Sequence, residues 1–572
     1  MYSERDPWIA EREATLCTWK FDYNRGYISN MSVSLVNDFM CLSERQIKNY
    51  AKMIKECGFT GIQAMDICAA WRASGGWENV HDKLKTLADA CHEIGLDFTL
   101  WCWAAEFSGH GWTEPDAVYR SADGTKPACE DERVLRLFNK YYDIYADLAP
   151  YSDRVIAHFF DPGNLTDMKS IIYFLKLLYG KFKEKNPGVK IAVDTWGCPE
   201  GYPQALVDAG LGDVMLMELP FLPVWRQPGK RTAFREGVKK LGCGLGSWGW
   251  YTADMEIDQL AMMTVNNRVL KDVFNQTRAQ ADHVMTPGYW SETDSYHILN
   301  FFSLYAAGHL LTDPDDDPDR LLRASVRAVT GKNETSERRL LSVLELIRDA
   351  RSGDSWNTYW WTEPGYVLKH YDHESILSRA DGAIDALKAL TDGPEPEDGI
   401  PFPITRRQLY RLIMPHLYQI KQYAQVCRGL AELDSMKKNG AGREELQTKV
   451  DELPCEIPEY NCVTGLWGQP EARAAFELTA GFCRDNGLKP PSRSAASRYT
   501  QKRRIVDRLA VEQRGKDHAV CVPATFYEGG AIGAGYSAEL INELTAEGVM
   551  KENGDGTYCL AEWKNYIFDF SM

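Results

Sequence analysis

Six carboxylates, Asp66, Glu106, Asp161, Asp194, Glu218 and Glu292, each stand at or just behind the end of a short apolar run. Aromatic rings keep the same company: Trp19, Trp103, Trp196, Trp248, Trp250, Tyr289 and Trp290. Glycosidic bond cleavage needs both kinds of residue. One carboxylic acid protonates the leaving oxygen, while a second carboxylate activates water or attacks the sugar. Flat apolar sugar faces stack on aromatic rings, and further carboxylates accept hydrogen bonds from hydroxyls. Crowded carboxylates also raise the pKa of one of their number, which keeps an acid protonated near neutrality. The expected general acid is Asp161 and the expected base or nucleophile is Glu218, with Asp194 a second candidate for the base. Trp19, Lys20, Asp66, Arg72, Trp103, Glu106, Trp196, Trp248, Trp250, Tyr289, Trp290 and Glu292 are expected to line the substrate.

Plainer uses exist for each residue. A strand-end Asp such as Asp66, Asp161 or Asp194 caps the turn or helix that follows it. A single strand-end Trp packs in a core. Trp101 reads as pointing into a helix layer, and His158 as lying inside its strand and facing away from the mouth. Lys20, Arg72, Arg226, Lys230 and Arg231 suit an acidic sugar, but solvated surface charge is the plainer reading of them. The triple aromatic Tyr359-Trp360-Trp361 reads as a packing cluster or a flap over the site.

The elements that would position these residues alternate apolar runs with amphipathic helical patterns, the sign of a parallel sheet built from βα units. The runs fall at 14–21, 58–66, 96–103, 154–161, 189–196, 213–219, 242–250 and 283–290. Helices are expected between them, one opened by the capping-box pattern Ser43-x-x-Gln46 and one stopped by Asn186-Pro187-Gly188. Eight such units in about 300 residues make a (β/α)8 TIM barrel, and barrel active sites lie at the strands' C-terminal ends. Strands four and six are two apart, so Asp161 and Glu218 are expected about 6–10 Å from one another across the mouth. That spacing leaves room for a water and leans toward inversion. A doubly wound sheet would carry a Gly-rich phosphate turn after strand one, and none is present.

After Gly331 the pattern changes to long helices, 335–351, 373–391, 404–434 and 442–452. The chain of 572 residues exceeds one core. The expected division is a catalytic barrel over 1–330, a helical domain over 331–484 and a small α/β appendage over 485–572, the last with hairpin-turn signals at Asn553-Gly554 and Asp555-Gly556. A net charge of −16 argues against nucleic acid or an anionic membrane as partner. The fifteen cysteines are scattered, the N-terminus is charged, and no run of about 18 apolar residues exists. These features imply a reducing cytoplasm. The expected partner is a carbohydrate substrate, and the helical region offers a homodimer surface. No metal-ligand spacing appears, so neither metal nor other cofactor is expected.

The segment 299–331, LNFFSLYAAGHLLTDPDDDPDRLLRASVRAVTG, resembles the end of the barrel in bacterial α-glucuronidases of families 67 and 115. HFFDPGN at 158–164 resembles the Asp-Pro-Gly turn of barrels related to the family 20 hexosaminidases. Together these resemblances cover roughly residues 1–330 and imply a barrel glycoside hydrolase of the hexosaminidase and α-glucuronidase type, and the expected enzyme is exo-acting on an oligosaccharide or glycoconjugate. Family 20 enzymes place an Asp-Glu pair after strand four, whereas Asp161 is followed by Pro162. That departure speaks against their substrate-assisted mechanism. The barrel pattern starts almost at once, so the N-terminal accessory domain common in both families is not expected here. Two other classes compete: a metal-dependent sugar isomerase or epimerase on the same barrel, and a lyase or non-catalytic glycan-binding barrel.

Overall fold

The computed structural model describes residues 7–17, 42–65, 77–104, 127–159, 165, 167–195, 198–218, 228–249, 251–252, 263–281, 284–293, 298–351, 372–454, 470–490, 522–523, 538–552 and 557–561. Its first part is a closed parallel barrel of β1 (Glu11–Cys17), β2 (Gly61–Met65), β3 (Asp97–Trp103), β4 (Arg154–His158), β5 (Lys190–Asp194), β6 (Met215–Glu218), β7 (Leu245–Gly249) and β8 (Tyr289–Thr293). Each strand pairs with its sequence neighbour, and β8 closes on β1.

The strands are buried on both faces, so their sequences do not alternate; β4 is buried at every position. Registers alone decide which residues look inward. They stack the interior side chains in layers. The lowest of these comprises Gly61, Arg154, Met215 and Tyr289; above it lie Glu13, Thr99, Ala192 and Gly246. Gln63, Ile156, Met217 and Ser291 come next, followed by Thr15, Trp101, Asp194 and Trp248.

Helices cover the outside. In chain order they are α1 (Glu44–Glu56), α2 (Trp77–Glu93), α3 (Glu132–Ala146), α4 (Met168–Lys185), α5 (Tyr202–Asp208), α6 (Pro228–Leu241), α7 (Asn267–Ala281) and α8 (Phe301–Thr312). The Ser43 capping box opens α1 as expected, and α4 stops at Asn186 as expected. Strand eight differs. It begins at Tyr289, near where the sequence pattern would end it, because the chain enters the sheet only after Pro287, when Gly288 N–H donates to Leu245 O.

Beyond the barrel come α9 (Pro318–Thr330), α10 (Glu334–Arg351), α11 (His373–Thr391), α12 (Arg406–Lys438), α13 (Arg443–Asp451) and α14 (Pro470–Asp485). Helix α14 has no counterpart in the sequence reading. The barrel core continues into α9 to α12 as far as Ala424, and a second core joins the far half of α12 to α13 and α14 through Leu433, Val450 and Cys483. The last part holds β9 (Val522–Pro523), α15 (Ala538–Ala546), β10 (Met550–Glu552) and β11 (Thr557–Leu560), with β10 and β9 antiparallel on either side of β11. Among the described residues no helix is long and apolar enough to cross a membrane.

Candidate active site at the barrel mouth

The upper layers concentrate acid–base and aromatic groups. Asp194 ends β5, faces the lumen and is fully buried. Its Oδ1 accepts the backbone N–H of Phe159 at 2.8 Å, which locks the carboxylate to the end of β4. Its Oδ2 lies 3.0 Å from Nδ1 of His158, the last residue of β4. The imidazole and two indoles form a cluster of three rings. Trp101 of β3 lies 4.7 Å from the imidazole between ring centroids, tilted by 32°, and Trp248 of β7 lies 5.4 Å away. The two indoles meet across the lumen at 5.7 Å. Protonated imidazole in this setting gains from the carboxylate and from both ring faces.

Two more groups surround Asp194. Burial pushes the Tyr202 phenol far above its ordinary range, and the Asp194 charge adds to the effect. Burial likewise takes the Cys198 thiol up to about 12, again with Asp194 contributing. Cys198 lies in the short connection after β5, and Tyr202 opens α5.

The remaining expected residues divide three ways. Asp194 and Trp248 look into the lumen as the chemistry requires. Asp161, Trp19, Lys20, Asp66, Arg72, Glu106, Trp196 and Trp250 lie outside the described residues, as does the side chain of Trp103 at the end of β3 and the aromatic cluster 359–361. Four others are corrected.

Glu218 ends β6 but turns outward, because Met215 and Met217 take the inward positions beneath Gly246. Its carboxylate is buried against α6, where Arg235 Nε donates at 2.9 Å to Oε1 and 3.2 Å to Oε2. It therefore does not face the β4 end across the mouth. Glu292 also points outward, toward the chain leaving β7, and accepts the backbone N–H of Thr252 at 2.9 Å. Trp290 shares that outward face and packs on Phe274 of α7 at 5.3 Å. Tyr289 faces inward but at the opposite end of the barrel, where its hydroxyl donates to Glu13 Oε2 at 2.5 Å and Arg154 lies 4.1 Å over its ring.

Sequence reasoning missed Trp101 and His158. Trp101 faces the lumen, with the helix layer behind it, and His158 faces the mouth. In an uninterrupted apolar strand no alternation marks the inward side. The available signal was parity: Asp194 and Trp248, once taken as inward, fix Trp101 and His158 through the ladder.

Comparison with protein-family models gives no match, and comparison with curated protein sequences gives none. Solved structures do give likenesses. A GH138 enzyme targeting pectin rhamnogalacturonan II has a TM-score of 0.45 at 9% identity, over 85% of this chain and 70% of that one. A mutant of the Thermobaculum terrenum O-GlcNAc hydrolase has a TM-score of 0.42 at 11% identity, over 84% of this chain and 97% of that one. A GH115 4-O-methyl-α-glucuronidase with specificity for decorated arabinogalactans has a TM-score of 0.41 at 9% identity, over 92% of this chain and 66% of that one. These neighbours are glycoside hydrolases of different families, and the chain is assigned to none of those families.

Proposed function

We propose that this chain is a glycoside hydrolase working at the C-terminal mouth of its barrel, with Asp194 as the base or nucleophile. The observation that carries this reading is the Asp194 carboxylate itself. It ends a barrel strand, faces inward, is oriented by the Phe159 N–H, and stands beside an aromatic wall of Trp101 and Trp248. Carboxylate chemistry and aromatic stacking are the two requirements of glycosidic cleavage. Nδ1 of His158 lies 3.0 Å from the other carboxylate oxygen, and a protonated imidazole there stabilises the anion that a base or nucleophile must present. Asp161, three residues beyond His158, is the proposed acid that protonates the leaving oxygen. Glu218, turned into the helix layer and paired with Arg235, has no part in this scheme.

The test is a panel of nitrophenyl glycosides and natural oligosaccharides with Asp194→Asn and Asp161→Asn. Each is expected to lose activity. Loss of the acid should be worst for poor leaving groups, which need protonation most. Full activity of both variants on a substrate that the wild type cleaves would overturn the assignment.

One observation favours a second reading. His158 faces the mouth beside Asp194, a pair that also suits a sugar isomerase or epimerase moving a proton, with or without a metal. Among the described residues no group of three or more His, Cys, Asp or Glu is set to hold a metal. Sugar interconversion that disappears with chelator and returns with a divalent cation would select this reading.

A further inference from the structure

The barrel interior below the level of Asp194 and Trp248 has two unlike halves. On the side of β5 to β7 the inward residues are Ala192, Met215, Met217 and Gly246. A Cβ at Gly246 would collide with Met217 Sδ, so this half is closely filled. Strands β8, β1 and β2 are neighbours, and their inward residues Tyr289, Ser291, Glu13, Thr15 and Gln63 are polar and buried. Most of this half is bonded. The Tyr289 hydroxyl donates to Glu13, and Thr15 Oγ1 donates to Gln63 Oε1 at 2.6 Å. Two atoms are left over: among the described residues, neither Gln63 Nε2 nor Ser291 Oγ has a hydrogen-bond partner. Both residues are fully buried. Exchanging the oxygen and nitrogen of the amide changes nothing, since Thr15 takes one end and the other remains.

We propose that Gln63 and Ser291 bind one interior water molecule, in the layer directly beneath Asp194 and Trp248. The two residues share that layer and stand on the strands that flank β1, one on each side. The Gln63 amide leans toward β1, because Thr15 of β1 holds its oxygen. Ser291, on the other side of β1, is too short to meet it. Burial drives the Tyr289 phenol far above its ordinary range, and Ser291 is close enough to be among the groups opposing that push, yet it stands outside hydrogen-bond geometry. Buried polar groups without a protein partner take a water, which needs about two to four polar partners. Here it accepts from the amide N–H and donates to Ser291 Oγ. The layer is closed above by the Trp101 and Trp248 indoles, 5.7 Å apart, and below by Glu13, Arg154 and Tyr289. Arg154 already supplies Glu13 with a cation, so the layer calls for a neutral ligand rather than a metal ion. The water ties β8 to β2 across β1, beneath the floor of the mouth, whichever reaction the mouth performs.

Urea unfolding of the full chain tests it through a double-mutant cycle. Ser291→Ala withdraws one partner of the water and is expected to lower the folding equilibrium constant by about 2–10-fold. Gln63→Met withdraws the other, and in that background the Ser291→Ala loss is expected to shrink to about half or less. The Thr15 bond is absent on both sides of the second comparison and cancels. No loss, or a gain, from Ser291→Ala would mean that its hydroxyl is buried dry. An equal loss in both backgrounds would mean that it bonds to Tyr289 instead. Either result overturns the water. Should Gln63→Met fail to fold, a crystal structure of the wild type decides. A single peak of density within about 3.2 Å of both Gln63 Nε2 and Ser291 Oγ is expected, and a well-ordered layer with no such peak rejects the proposal.

Discussion

The two ends of the barrel handle buried charge in opposite ways. At the N-terminal end, charges are matched. Arg154 reaches Glu13 at 3.1 Å and also pairs with Glu11, which Lys190 meets at 2.8 Å. Thr99 and Tyr289 hydroxyls add donors to Glu13. Even so, burial raises Glu13 to about 7, although Arg154 opposes it, while Arg154 itself is driven up by its two carboxylate neighbours despite its burial. Arg154 stays ionised, because guanidinium keeps its proton in any protein environment. At the C-terminal end, the described groups around Asp194 are one imidazole, one backbone N–H, the Tyr202 phenol and the Cys198 thiol, and none of them is a guanidinium or ammonium. A network of matched charges serves as a plug. The proposed base Asp194 stands instead at the strands' C-terminal ends, where barrel active sites lie.

The contrast breaks most sharply at Asp194. Asp194→Asn is expected to lower kcat by about 10²–10⁴-fold, the usual range for an acid–base group, with little change in Tm. A large stability loss with a mild kinetic effect would make the mouth another plug. The reverse is expected of Arg154→Met and of Arg235→Met. Each strips a buried carboxylate of its cation and should cost about 3–5 kcal/mol, read from urea unfolding. If either variant unfolds at the wild-type midpoint, matched charge is not what holds that region.

A pH series sharpens the same comparison. Glu13 and Glu292 are both raised from 4.5 to about 7 in the folded chain. A raised carboxyl stabilises the fold below its unfolded value, and that contribution is lost as pH rises through the folded value. The urea midpoint is therefore expected to drop between about pH 5 and 8. For Glu292 the contribution at stake is of order 3 kcal/mol, and Glu292→Gln should flatten part of the drop. An unchanged midpoint across that window contradicts it. The smallest effect concerns the aromatic wall. Trp248→Phe keeps a ring but shrinks it, so KM should rise by about 2–10-fold, in line with the roughly 0.5–1.5 kcal/mol of an aromatic contact, while kcat holds. A fall in kcat alone would mean that Trp248 acts on the reacting atoms.

The sequence was legible wherever a local signal acted alone. Apolar runs alternating with helical patterns announce eight βα units, Ser43 and Gln46 start α1, and Asn186-Pro187-Gly188 stops α4. A strand-end carboxylate is likewise visible, as Asp194 and Glu218 both are. Which of the two faces the lumen is not, because a one-residue change of register turns every side chain of a strand to its other face. In Met215–Glu218 and Arg154–His158 the helices outside are as apolar as the interior, so no alternation reveals the direction. Only the closed ladder sends Met217 inward and Glu218 out to Arg235, sets His158 beside Asp194, and packs Trp101 of β3 and Trp248 of β7 on that imidazole. The sequence thus determined how many strands there are and what chemistry stands at their ends. Tertiary structure decided which of those ends meet, since closing the barrel sets all eight registers together and no single strand carries that information.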